Sequence, residues 1–189
     1  DNNGDVAGSI SKRPNSYPLA GLLDEKGDEI VSNAASIVLQ VDMHKDVVKK
    51  TIDLAKRHGK KLYALVSNMS IAAQRRDLLQ NFDCFICNQQ EAGILFLDDY
   101  DGKSPEEMRQ ILAERIEAAN IRSMVVTMGG DGAVYANLQG EKGLCPARKV
   151  QVKDTTGAGD SFCAGVAIGM TYGKTMAEAV EIGTTLAAS

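Results

Sequence analysis

Little in this chain points toward a membrane, a nucleic acid or a metal. No apolar run approaches the ~20 residues that a bilayer-spanning helix needs. Basic residues are not in excess: 21 Lys and Arg face 25 Asp and Glu, giving a net charge of −4 and a pI near 5.2. That balance argues against a nucleic-acid binder, which would carry a basic face. The pairs Lys49-Lys50, Lys60-Lys61 and Arg75-Arg76 are scattered, as the solvated ends of helices and strands are. The opening residues Asp1 to Asp5 show neither the charged nor the apolar region of a signal peptide, so a cytoplasmic setting is the expectation.

Metal-binding and redox signals are equally thin. The four cysteines are Cys84, Cys87, Cys145 and Cys163, and only the first two have a C-x-x-C spacing. No second C-x-x-C and no nearby histidine completes a zinc set. Cys84 and Cys87 also fall in a strand-like run, where positions three apart face opposite ways. Buried structural thiols are the preferred reading. His44 and His58 stand alone at the two ends of one predicted helix. No repeat, low-complexity tail or second domain is evident. The 189 residues, 44% of them hydrophobic, suit one domain with a substantial core.

What is present is an alternation of strands and helices. Ser36–Val41, Lys61–Val66, Phe82–Cys87, Ser123–Thr127 and Ala133–Asn137 read as strands, with a further short strand at Lys149–Val152. Lys45 to His58 reads as an amphipathic helix with Val48, Ile52 and Ala55 on one face. A short helix is expected over Ile71–Leu79 and another over Gln89–Phe96. Ser104-Pro105-Glu106-Glu107 is a helix-start signal for a helix running to about Ala119. Thr175-x-x-Glu178 is a capping box opening a final helix. Leu22 to Asn33 fits either a helix interrupted by Gly27 or a hairpin turning at Lys26-Gly27, and Asp5–Ser11 could form a strand. Repeated strand–helix units predict an α/β fold, with a mainly parallel sheet covered on both faces. In such sheets ligands bind beyond the carboxyl ends of the strands.

Three short elements fall at that kind of position. The most informative is Asp154-Thr155-Thr156-Gly157-Ala158-Gly159-Asp160-Ser161-Phe162, which leads into an apolar helix over Phe162–Met170. Small residues there let successive N–H groups converge on an anion. A carboxylate beside a bound phosphoryl group, Asp160, can accept the proton of an attacking hydroxyl. The plainer alternative makes Asp160 a helix N-cap. The second element, Asn88-x-x-Glu91, is a helix start whose two side chains share a face, suited to Mg²⁺ or simply to a capping box. The third, Thr127-x-Gly129-x-x-Gly132, is a sharp turn between strands that either brings backbone to a nucleotide or is a glycine hairpin loop. Two other motifs fail. Gly169 to Thr175 is one residue short of a P-loop, and Gly157-x-Gly159-x-x-Phe162 lacks the third glycine of a dinucleotide fingerprint.

Taken in order, these three elements resemble the signatures of the ribokinase-like (PfkB) family of sugar and nucleoside kinases. The resemblance covers about Ala35 to the C-terminus. It implies a three-layer α/β/α ribokinase-like fold, incomplete at both ends, in a single domain over 1–189. The lid sheet and the N-terminal acceptor-binding part of the family have no counterpart here. It implies an ATP-dependent phosphotransferase acting on a hydroxyl of a sugar or nucleoside, with Asp160 as general base. The N–H groups of Gly157, Ala158, Gly159 and Asp160 would form the anion hole, a turn that a larger residue at Gly157 or Gly159 should block. Asn88, Glu91, Thr127, Gly129, Gly132 and Thr156 would serve the nucleotide, with Asn88 and Glu91 holding Mg²⁺ through water. Asp154, with the backbone near Thr156, resembles the monovalent-cation (K⁺) site of some members. Members often dimerise through the lid sheet, so a homodimer is an expectation for the full-length protein. Ser67-Asn68-Met69-Ser70 and Arg75-Arg76 leave a nucleoside such as pseudouridine open as acceptor. A non-catalytic nucleotide-binding module is the competing reading.

Overall fold

Five short, mostly apolar stretches and one glycine-containing stretch build the sheet of the computed structural model, which describes residues 15–148 and 157–189. Strands β1 (Ser36–Gln40), β2 (Lys61–Leu65), β3 (Cys84–Asn88) and β4 (Ser123–Thr127) lie side by side in chain order and run parallel. β5 (Ala133–Asn137) and β6 (Lys142–Cys145) then continue the sheet antiparallel. The parallel order follows from the helices between successive strands, and the antiparallel end from the tight turns that join β4, β5 and β6.

The helices divide between the two faces, giving three layers. One core joins α2 (Lys45–Arg57), α3 (Met69–Ala73), α4 (Arg76–Leu79), α5 (Gln89–Phe96) and α6 (Pro105–Ala119) to Phe85, Cys87, Met124, Val126 and Val134. The other joins α7 (Ala158–Thr171) and α8 (Met176–Ala187) to Tyr63, Cys84, Ile86, Val125 and Tyr135. Strand alternation therefore sends Cys84 and Cys87 into opposite cores, both buried, as expected for structural thiols. Burial pushes the Cys87 thiol well above its ordinary value, and the charges of Glu91, Cys163 and Cys84 add to that.

Local signals account for most helix ends. Ser104 and Glu107 form the expected capping box on α6, and Thr175 and Glu178 form one on α8. Gly173, at φ +77°, ends α7 rather than beginning a P-loop. His44 caps α2, its Nδ1 accepting from the Asp46 N–H at 3.3 Å. His58 closes the same helix and sits 2.7 Å from Asp28, which also takes two bonds from Arg57.

Three expectations change. Leu22–Asn33 is neither interrupted nor a hairpin but part of one continuous helix, α1 (Pro18–Asn33). Gly27 is buried where α1 crosses α2, and a Cβ there would come within 2.6 Å of Leu54 Cδ1. The glycine is a packing feature, not a break. The helix expected over Ile71–Leu79 is two short ones, α3 and α4, separated at Gln74-Arg75. There Arg75 leaves the helical path and its guanidinium donates to the carbonyls of Val41 and Met43. β6 has no counterpart among the expected strands. Its Gly143 lies under the Tyr135 ring, so the strand forms by cross-strand contact rather than by propensity. The strands expected at Asp5–Ser11 and Lys149–Val152 lie outside the described residues.

Candidate active site

The carboxyl ends of β3 and β4 place two of the three motifs together. Asn88 ends β3 and is paired in register with Thr127, which ends β4. Both share the strand parity of Cys84, Ile86 and Val125, so both project on the side of the sheet that α7 covers.

Asn88 and Glu91 form a reciprocal cap on α5. The Glu91 N–H donates to Asn88 Oδ1 at 2.8 Å, and the Asn88 N–H donates to Glu91 Oε2 at 2.8 Å. This orients both groups. Asn88, with Oδ1 engaged, presents its amide N–H₂ as a donor, while Glu91 keeps one carboxylate oxygen outside the cap. Burial raises the Glu91 carboxyl above its ordinary value. The Asn88 N–H opposes that shift, and the nearby Asp42 charge adds to it.

Thr127-x-Gly129-x-x-Gly132 folds as a single 3-10 turn, Gly129–Asp131, between β4 and β5. Gly129 and Gly132 take φ of +56° and +96°, a region that disfavours side chains. Gly132 has a second requirement, because the chain leaving β6 crosses directly over it. A Cβ there would meet the Cys145 carbonyl oxygen, and would lie 2.7 Å from Ala147 N and 2.8 Å from Pro146 C. Asn88, Thr127 and Gly129 border a cleft of about 980 Å³ that Ile94 and Asp98–Asp101 also line. Its size is that of a small-molecule site.

The third motif opens α7. Gly157 is the N-cap at φ +82°, and the first helical bond runs from the Ser161 N–H to the Gly157 carbonyl. The N–H groups of Ala158, Gly159 and Asp160 thus belong to the first turn, where a helix offers them no carbonyl partner. Asp160 is the third helical residue, not the cap, and its side chain is exposed. Gly157 takes a positive φ that disfavours a side chain, whereas Gly159 is helical and, among the described residues, a Cβ there would meet nothing within 4 Å. Asp154 and Thr156 lie outside the described residues.

Cys163 ties the motifs together. It is buried one turn below Asp160, and its thiol is pushed up to about 12 by burial, then by the charge of Asp160, then by that of Glu91. The charges of Asp160 and Glu91, on two different elements, thus act on the same thiol. Asp42, just beyond β1, extends this rim; Ser67 N–H donates to its Oδ1 at 3.4 Å. Sequence reading missed Asp42, although an acid one residue past a strand's carboxyl end is a usable signal. By contrast, the residues that left a pseudouridine-like acceptor open have structural work. Asn68 caps α3, Ser67 accepts from Gln40, and Arg75 holds the β1 exit.

With helices on both faces of a sheet whose first four strands run parallel, the molecule is a three-layer α/β protein. The chain belongs to the pfkB family of carbohydrate kinases, whose model matches residues 19–189. It is 31% identical over 189 residues to a guanosine-inosine kinase from Exiguobacterium acetylicum, covering 100% of this chain and 61% of that one. It is 24% identical to a ribokinase from Schizosaccharomyces pombe, over 82% of this chain and 48% of the relative. The chain thus spans about half to three-fifths of the length of these relatives. Among solved structures, Arabidopsis thaliana ribokinase complexed with ribose and ATP matches with a TM-score of 0.75 at 24% identity. That match covers 87% of this chain and 52% of the ribokinase.

Proposed function

We propose that this protein is part of an ATP-dependent phosphotransferase that phosphorylates a hydroxyl of a sugar or nucleoside. The observation that carries the reading is the opening of α7: Gly157 caps it at φ +82°, the first-turn N–H groups of Ala158, Gly159 and Asp160 have no intrahelical carbonyl, and the exposed Asp160 carboxylate stands beside them. Phosphoryl transfer needs alignment, charge neutralisation and an acceptor for one proton, and little else. The first-turn N–H groups of α7 would receive the equatorial oxygens of the transferring group. Asp160 would take the proton of the acceptor hydroxyl as its oxygen bonds to the γ-phosphorus and ADP leaves. The Asn88 amide would donate to a phosphate oxygen, and the turn from Thr127 to Gly132 would bring backbone to the nucleotide. Glu91 would hold a water of Mg²⁺ with its remaining oxygen, and the metal would neutralise phosphate charge.

Full-chain similarity to a guanosine-inosine kinase favours a nucleoside over a sugar as acceptor. The test is ADP release by the full-length protein with Mg·ATP across guanosine, inosine, adenosine, pseudouridine, ribose and fructose, with and without K⁺. Turnover on a purine nucleoside is the expected result. ATP binding without turnover on any acceptor would make the chain a nucleotide-binding module instead.

Glu91→Gln separates the capping role from the metal role. Gln keeps an oxygen for the Asn88 N–H, so the melting temperature should move by no more than about 2 °C. The Mg²⁺ concentration for half-maximal turnover should rise at least about fivefold, because the neutral amide holds the metal's water weakly. An unchanged Mg²⁺ dependence would leave Glu91 a cap alone.

A further inference from the structure

Asp160 and the anion-receptive N–H groups sit at one end of α7, and the polar anchor of that helix sits at the other. Thr171, in the last turn, has its Oγ1 at 2.6 Å from the Ala167 carbonyl, 2.8 Å from Ser36 Oγ and 3.1 Å from the Tyr63 hydroxyl. A threonine hydroxyl has one proton, and the carbonyl can only accept. Thr171 therefore donates to Ala167, and Tyr63 and Ser36 donate to Thr171. Tyr63 is fully buried in β2, so its hydroxyl depends on this partner rather than on water. Burial raises the Tyr63 hydroxyl above its ordinary value, and the bond with Thr171 opposes that shift. Beside it, Lys61 donates its ammonium to the Met170 carbonyl at the negative end of the helix.

Ser36, Lys61 and Tyr63 all project from the α7 side of the sheet, where Ser36 pairs with Lys61 in register. Among the described residues, α7 also packs on the strands through the apolar Phe162, Cys163, Val166 and Ala167. Apolar contact resists separation but sets little about rotation or sliding along the helix axis. On its other flank α7 is fused to α8. A Cβ on Gly165 would meet Gly183 Cα at 2.6 Å, and one on Gly169 would meet Ala179 Cα at 2.7 Å. The pair therefore rides on the sheet as one body: α8 bonds the β5–β6 end, through Thr184 Oγ1 and Cys145 Sγ at 3.5 Å and the Ala177 N–H donating to Glu141 Oε1 at 3.4 Å, and the Thr171 cluster holds the β1–β2 end.

We infer that Tyr63, through Thr171, is a positioning residue: it sets the axial register of α7 and so the placement of Asp160 and the first-turn N–H groups, about 16 Å away along the helix. The inference rests on the phosphotransferase reading above. Misplacing a reacting group by about 1 Å can cost ~100-fold in rate, so a smaller slip should be visible in turnover.

The experiment compares Tyr63→Phe, Thr171→Val and Thr171→Ser in the full-length protein. Tyr63→Phe keeps the buried ring and removes only the hydroxyl. The expected result is kcat lowered about tenfold in Tyr63→Phe and Thr171→Val. KM for ATP and acceptor should stay within about twofold, and Thr171→Ser should recover most of the rate. Amide hydrogen exchange at Ser161 and Phe162 should be at least about fivefold faster in Tyr63→Phe than in the unaltered protein, with α8 unchanged. A kcat within about twofold of the unaltered protein, or a Thr171→Ser variant as slow as Thr171→Val, would overturn the inference. If the unaltered protein turns over no acceptor, the phosphotransferase reading fails on its own. The hydrogen-exchange comparison then decides the latch, and equal exchange at Ser161 and Phe162 refutes it.

Discussion

Asp160→Asn is expected to lower kcat by about 10³-fold, within the range a general base contributes. Asparagine matches aspartate in shape but cannot accept the hydroxyl proton. The variant should still fold. The side chain is exposed in the first turn of α7, and loss of its favourable interaction with the helix dipole costs about 0.3–1 kcal/mol. Nucleotide affinity should be equal or slightly tighter, because a carboxylate next to bound phosphate repels it. Single-turnover kinetics beside equilibrium binding of ATP separates these terms. Turnover unaltered in Asp160→Asn would remove the assigned base. Loss of binding along with turnover would show instead that Asp160 supports the shape of the anion site.

The second large effect concerns stability. Gly132→Ala should destabilise the fold by at least about 3 kcal/mol, among the most severe single-residue effects. Two penalties coincide there. The backbone sits at φ +96°, and the new methyl would strike main-chain atoms of Cys145, Pro146 and Ala147, none of which can rotate away. Gly129→Ala is the control. Its φ is +56°, but a Cβ would meet nothing within 4 Å, so its cost should be only about 1 kcal/mol. Urea unfolding of the two variants checks the difference. Equal midpoints would mean that the chain leaving β6 can lift off the turn. Because Gly129 and Thr127 border the cleft, a distorted Gly132 should also weaken nucleotide binding.

Much of this architecture can be read locally. The amphipathic face of α2, the cap of Asn88 on Glu91, the capping boxes opening α6 and α8 and the stop at Gly173 all involve residues within a few positions of one another. Their energetics are settled by near neighbours, so periodicity and spacing suffice to find them. The alternation of strands and helices likewise implies a parallel sheet, and Asn88 and Thr127 fall at its carboxyl edge because each ends a strand. Family membership follows from the three short motifs in their order.

What local patterns could not supply is contact between distant segments. Nothing near Gly27 reveals that Leu54 will lie on it, so helix and hairpin stayed equally open for α1. No strand is expected over β6, where Gly143 is covered by the Tyr135 ring. Arg75 looks like half of a basic pair until its guanidinium meets two carbonyls more than thirty residues away. The same holds for the site. A three-residue offset links Asn88 to Glu91, but the pairing of Asn88 with Thr127 exists only after the sheet has aligned its strand ends. The chemistry each residue can perform is a property of its type and its immediate neighbours. Which of them meet, and with what charge and burial, depends on how helices and strands far apart in the chain pack together.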